Sequence, residues 1–156
     1  MADAPTYSVV IPVFNSRDIV AATVADVIAF FDGRGETFEV VLVNDGGEDG
    51  SWEVIRGLAQ ADPRVVAVRF LRNYGQHNAN LAGFAETRGT WIVTMDDDGQ
   101  NPPEEIAHLA AAAEAGGHDV VFGRFDRKKS SLSRALGTRL MGAMNRRIFG
   151  KPKDLA

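Results

Sequence analysis

Short apolar runs rich in valine and isoleucine alternate along this 156-residue chain with stretches whose apolar side chains recur every three or four positions, and that alternation limits the folds open to it. Residues 8–13, 38–43, 65–71, 91–95 and 119–122 read as strands. Between the first two, Val20, Val24, Val27, Ile28 and Phe31 lie at helical spacing behind Ser16, a hydroxyl residue suited to capping a helix start. Trp52, Ile55 and Leu58 mark a second helix that Asp62-Pro63 stops. Residues 76–87 and 104–115 read as two more, the last closed by Gly116-Gly117. Strands alternating with crossover helices build an α/β sheet, mostly parallel, whose ligands bind beyond the carboxyl ends of the strands. The polar clusters Asn15-Ser16, Asn44-Asp45-Gly46-Gly47 and Asp96-Asp97-Asp98 all follow strands.

With 45% hydrophobic residues and no low-complexity stretch, the chain is large enough to bury a core, and a single domain over 1–156 is expected. It has no cysteine, which excludes disulfides and thiolate chemistry and suits a reducing compartment. Met1 to Pro5 carries no basic stretch leading into an apolar one, and no apolar run is long enough to span a bilayer. The expected location is cytoplasmic, without a transmembrane span.

The acidic triplet carries the chemistry. A buried strand that ends in three adjacent carboxylates is costly unless something positive sits there, because each charge raises its neighbours' pKa. Strand alternation puts Asp96 and Asp98 on one side and Asp97 on the other. Two hard oxygen ligands with the amide oxygen of Gln100 nearby suit Mg²⁺ or Mn²⁺ in an open site. The plainer reading is an acidic loop before a helix that Asn101, Pro102 and Pro103 introduce, but a cap needs one acceptor, not three. The turn after the first strand reads Pro12, Val13, Phe14, Asn15, Ser16, without the glycines of a dinucleotide fold, and no Walker-type glycine-lysine pair occurs. A bound diphosphate therefore has to be held by metal and basic side chains.

The net charge of −4 conceals a division: 7 basic residues stand against 19 acidic ones up to Gly123, and 10 against 2 from Arg124 onward. The basic segment 124–156 is built to meet anions, and Leu132, Leu136, Leu140, Met144 and Ile148 form an apolar stripe within it, a pattern shared by helices packed on a domain and helices lying on a membrane. A nucleic-acid partner is not expected of this acidic chain. Trp52 and Trp91 fall within apolar periodicity and read as core, while His108 and His118 read as surface residues.

Four segments resemble the family 2 glycosyltransferases of the GT-A fold: Ser8-Val9-Val10-Ile11-Pro12-Val13-Phe14-Asn15, Val43-Asn44-Asp45-Gly46, Arg72-Asn73-Tyr74-Gly75-Gln76-His77 with Ala82-Gly83, and Met95 to Glu105. The likeness is to the branch that includes dolichol-phosphate mannose synthases and bacterial undecaprenyl-phosphate sugar transferases. It implies an inverting, metal-dependent enzyme that moves a sugar from a nucleotide-sugar donor, a UDP-sugar by preference and a GDP-sugar as the alternative, to a polyprenyl phosphate. By the same resemblance Pro12, Val13, Asn15, Asp45, Gly75, Gln76 and Asp96 bind the donor. Asp96, Asp98 and Gln100 are the metal and catalytic residues. Arg124, Arg134 and Thr138 hold the acceptor phosphate, at the inner face of an anionic membrane.

The chain departs from the family pattern at Ser16, where Glu is usual, and at Gly99, where Leu is common. The resemblance also implies a catalytic domain that continues past Ala156. A phosphate acceptor is already anionic, so the lack of a well-placed general base after Gln100 agrees with it. Rival readings are transfer to a saccharide hydroxyl, a non-catalytic nucleotide-binding module and, from Asp96-x-Asp98-Gly99, a haloacid-dehalogenase-type phosphatase. No oligomeric state follows from the sequence.

Overall fold

A computed structural model of the chain describes residues 4–123. Four strands form one parallel sheet: β1 (Tyr7–Val13), β2 (Phe38–Asn44), β3 (Val65–Arg69) and β4 (Trp91–Thr94), in the order β3-β2-β1-β4. Helices α1 (Val20–Arg34), α2 (Ser51–Ala61) and α3 (Gln76–Glu86) connect them, and α4 (Glu104–Gly116) follows β4.

β1 and β2 are buried along their full lengths, which is why both read as continuous apolar runs and not as alternating ones. On one face Val9, Ile11, Val40 and Leu42 pack beneath Val20, Val24, Val27 and Phe31 of α1, Ile55 of α2 and Ile106 of α4. On the other, Val10, Val41 and Val43 meet Ala79 of α3. The chain steps outward from β1 to β2 and β3 and then returns to the far side of β1. Right-handed crossovers place helices of opposite stepping direction on opposite faces, so the reversal puts α3 opposite α1 and α2. A Cβ on Gly83 would collide with Val10, so glycine there lets α3 lie close against β1.

Several expected boundaries shift. Residues 119–122 are not a strand: Val120 is 68% and Phe122 88% exposed, and no described strand supplies the hydrogen bonds that would make them one. Ser16 does not cap α1 with its hydroxyl, which donates to the Phe14 carbonyl; the Ser16 carbonyl instead accepts from Ile19 and Val20 N–H, and the helix begins one turn later. Nor does Asn101 cap α4, whose start is flanked by Pro103 and carries Glu104 and Glu105 in its first turn. β3 ends at Arg69, although Phe70 N–H still donates to the Asn44 carbonyl. The tryptophans pack against the core as expected, and His108 and His118 are exposed.

Candidate nucleotide-diphosphate site

β1 is flanked by β2 on one side and by the returning β4 on the other, so the strand order reverses between β1 and β4. Loops diverge at such a switch point and leave a crevice at the carboxyl ends of the strands. A pocket of about 330 Å³ lies there. Its walls are Pro12, Val13 and Phe14 from β1 and its loop, Asp45 after β2, Asn73, Gly75 and Gln76 at the start of α3, and Asp96, Asp97 and Asp98 after β4.

The three carboxylates share this pocket, which corrects the expectation that Asp97 faces away. Alternation holds only to Thr94, where β4 ends; Met95 N–H donates to the Val10 carbonyl, and the backbone then leaves the strand and turns through Gly99 at φ +67°. Each carboxylate is held by a different group. Asp96 Oδ1 accepts from Gln76 Nε2 at 2.7 Å, Asp97 Oδ2 from Phe14 N–H at 3.3 Å, and Asp98 Oδ1 from Gln100 N–H at 2.9 Å. Thr23 Oγ1 donates to the Asp97 carbonyl at 3.2 Å, tying the acidic loop to α1. No ion pair among the described residues involves Asp96, Asp97 or Asp98.

Asp45 is 3% exposed, and both its oxygens are engaged: Tyr74 N–H donates to Oδ1 at 2.7 Å and Gly75 N–H to Oδ2 at 2.9 Å. Gly75 sits at φ +89°, which costs glycine nothing and strains other residues. The β1 loop is fastened separately. Asp49 accepts from Arg17 N–H, Ser51 N–H and Ser51 Oγ, and Ser51 Oγ accepts from Ser16 N–H. Burial pushes the Asp49 carboxyl up, but the Ser51 hydroxyl and the backbone donors outweigh it and hold it below the ordinary aspartate value. Asn15 adopts φ +55°, a left-handed conformation that asparagine tolerates, and lies outside the pocket lining.

Of the predicted donor residues, Pro12, Val13, Asp45, Gly75, Gln76 and Asp96 converge on the pocket, with Asp98 beside them. Gln100 is off the lining and touches Asp98 through its backbone. Arg124, Arg134 and Thr138 lie outside the described residues. Sequence reasoning did not assign Phe14, Asn73 or Asp97 to the site. The signal for Phe14 was an aromatic residue immediately after a buried strand, where an exposed ring has no packing role.

Among the described residues no three His, Cys, Asp or Glu side chains are grouped to hold a metal ion; Asp96 and Asp98 are two exposed, hard oxygen donors on one pocket, of the chemistry that Mg²⁺ or Mn²⁺ takes alongside water or phosphate oxygens.

The Glycosyl transferase family 2 profile matches residues 8–154. The chain is 44% identical over 145 residues, 92% of its length, to undecaprenyl-phosphate 4-deoxy-4-formamido-L-arabinose transferase of Edwardsiella ictaluri, and spans 44% of that protein. It is also 44% identical over 128 residues, 81% of its length, to the Shewanella sediminis protein of the same name, of which it spans 39%. Among solved structures, a Pyrobaculum calidifontis mannosyltransferase in complex with GDP-Man and Mn²⁺ superposes with a TM-score of 0.61 at 20% identity, over 72% of this chain and 33% of that one. Staphylococcus aureus TarS in complex with UDP-GlcNAc superposes with a TM-score of 0.60 at 20% identity, over 81% of this chain and 37% of that one. The arrangement they share with this chain is the GT-A fold.

Proposed function

The chain belongs to glycosyl transferase family 2, and from that premise we propose that it transfers a sugar from a nucleotide-diphosphate donor, a UDP-sugar by preference, to undecaprenyl phosphate. The observation that carries this reading is the acidic pocket at the strand-order switch point, in a chain 44% identical to a transferase named for that acceptor. The 4-deoxy-4-formamido-L-arabinose in that relative's name is the first donor sugar to try.

In this reading Pro12, Val13 and Phe14 wall the nucleoside end of the pocket against the loop that Asp45 anchors. Asp96 and Asp98 are the residues that would hold a divalent cation. Such an ion, when bound, supplies Lewis-acid stabilisation of the charge that develops on the departing nucleoside diphosphate. An acceptor phosphate oxygen attacks the anomeric carbon from the opposite face as the bond to the diphosphate breaks, which inverts that centre. The acceptor is anionic near neutral pH, so the protein needs to position it and not to deprotonate it. Arg124, Arg134 and Thr138 are assigned that role by resemblance.

Calorimetry of UDP and GDP against the full chain, with Mn²⁺ and with chelator, tests the donor half. Affinity should be much tighter with Mn²⁺, and Asp98→Asn should remove most of the difference; equal affinity in the two buffers refutes cation-assisted binding. Transfer of labelled sugar to undecaprenyl phosphate tests the acceptor half. Donor binding without transfer to this acceptor or to water would favour the non-catalytic module.

A further inference from the structure

We propose that Gln76 is a positioning residue for the Asp96 carboxylate, through which the segment joining β3 to α3 sets how tightly the pocket takes a divalent cation. The proposal rests on the reading of Asp96 and Asp98 as cation ligands. Gln76 Nε2 donates to Asp96 Oδ1 at 2.7 Å. That bond leaves Oδ2 and a second lone pair on Oδ1 open to a ligand. The donor is neutral, so it orients the carboxylate without cancelling the charge that attracts a cation; a lysine or arginine in its place would compete with the ion for the same oxygens.

The Gln76 side chain is exposed, but the backbone that carries it is fixed from three directions. Asp45, buried after β2, accepts the Tyr74 and Gly75 N–H groups immediately before Gln76. A Cβ on Gly46 would run into the Arg72 and Asn73 backbone, so the same segment is pressed against the turn that follows β2. Gln76 is the first residue of α3, which Ala79 and Gly83 seat directly on the sheet. Asp96 by contrast is exposed, lies beyond the end of β4 and is free to change rotamer unless something outside its own loop holds it. Holding it in advance removes the ordering cost that a bound ion would otherwise meet. Gln76 thus acts on the cation through Asp96.

The test is Mn²⁺ uptake by the full chain in the presence of UDP, read from the electron paramagnetic resonance signal of free Mn²⁺, for the wild type, Gln76→Ala and Gln76→Asn, whose amide is one methylene shorter. Both variants should bind Mn²⁺ about 10-fold more weakly, the usual loss when the partner of a metal ligand is removed. Their thermal unfolding midpoints should match the wild type, and any loss of UDP affinity in chelator should be smaller than the loss of Mn²⁺ affinity. Mn²⁺ affinity within twofold of wild type in both variants overturns the proposal. So does an equal loss of UDP affinity in chelator, which would make Gln76 a direct donor contact. A wild type that takes up no Mn²⁺ removes the cation reading and this inference with it, an outcome the wild-type measurement alone reveals.

Discussion

Asp45 has a structural role that its place in the sequence does not disclose. The resemblance assigns it to donor binding, and it lines the pocket with its oxygens holding the Tyr74 and Gly75 backbone. Replacing it with Asn leaves one acceptor for two donors and removes the charge from both bonds. The expected cost is about 1.5–3 kcal/mol of stability, measurable by urea denaturation. If Asp45 works through the loop, Asp45→Asn weakens UDP and GDP binding by the same factor; a loss confined to UDP would assign it to uracil recognition. The 29-residue separation between donor and acceptor in the Tyr74 bond is why spacing alone could not show it. Asp97 was misjudged for a different reason, since the rule that successive side chains alternate lapses once the strand ends at Thr94.

Among the elements, β4 decides how far the acidic loop reaches, and what sets β4 lies at the opposite end of the sheet. Glu39 of β2 is 1% exposed and accepts from Ser8 Oγ, Arg88 N–H, Arg88 Nε and Arg88 Nη2, while Gly89 N–H donates to Ser8 Oγ. This knot pins the turn just before Trp91. Burial pushes the Glu39 carboxyl up, but the Ser8 hydroxyl and the Arg88 donors outweigh it and hold it below the ordinary glutamate value. A depressed carboxyl stabilises the fold above its unfolded pKa of about 4.3, and that contribution is lost as pH falls through the lower folded value. Arg88→Ala should cost about 1.5–3 kcal/mol, toward the low end because the Arg88 side chain is 62% exposed, and should flatten the decline of the urea midpoint below about pH 4.5. An unchanged acid profile would mean that the guanidinium contributes nothing to the Glu39 shift. Gly83→Val should do the reverse of this pinning on the other face, lifting α3 off Val10 and lowering the thermal midpoint; a midpoint at the wild-type value would mean that α3 does not need the close approach. Elements buried on both faces, β1 and β2, were fully legible as apolar runs. Residues 119–122 had the same composition signal, but a strand also needs a partner, and partners are not written in local sequence.

For the molecule as a whole, the parallel sheet and the position of its pocket followed from the alternation of strands and helices, because right-handed crossovers leave few ways to return the chain to β1. The charge division is a property of composition. From Arg124 onward 10 basic residues accompany 2 acidic ones, while the preceding portion is strongly acidic. Each basic residue near an anionic bilayer contributes up to about 1 kcal/mol of attraction, and the effect fades within a Debye length as salt rises. The lipid-phosphate acceptor proposed above would bring the reaction to such a surface. Association of the chain with vesicles containing phosphatidylglycerol is therefore expected at low salt, weakening steeply toward about 0.5 M salt. Reversing three charges together, Arg127→Glu, Lys128→Glu and Lys129→Glu, should abolish that association in a flotation assay. Mn²⁺-dependent UDP affinity should stay at the wild-type value, because the pocket residues named above belong to β1, β2, α3 and their loops and to the acidic triplet after β4. If the triple variant floats as the wild type does and instead loses UDP, the basic segment serves the donor diphosphate and the assignment of the acceptor to it is wrong.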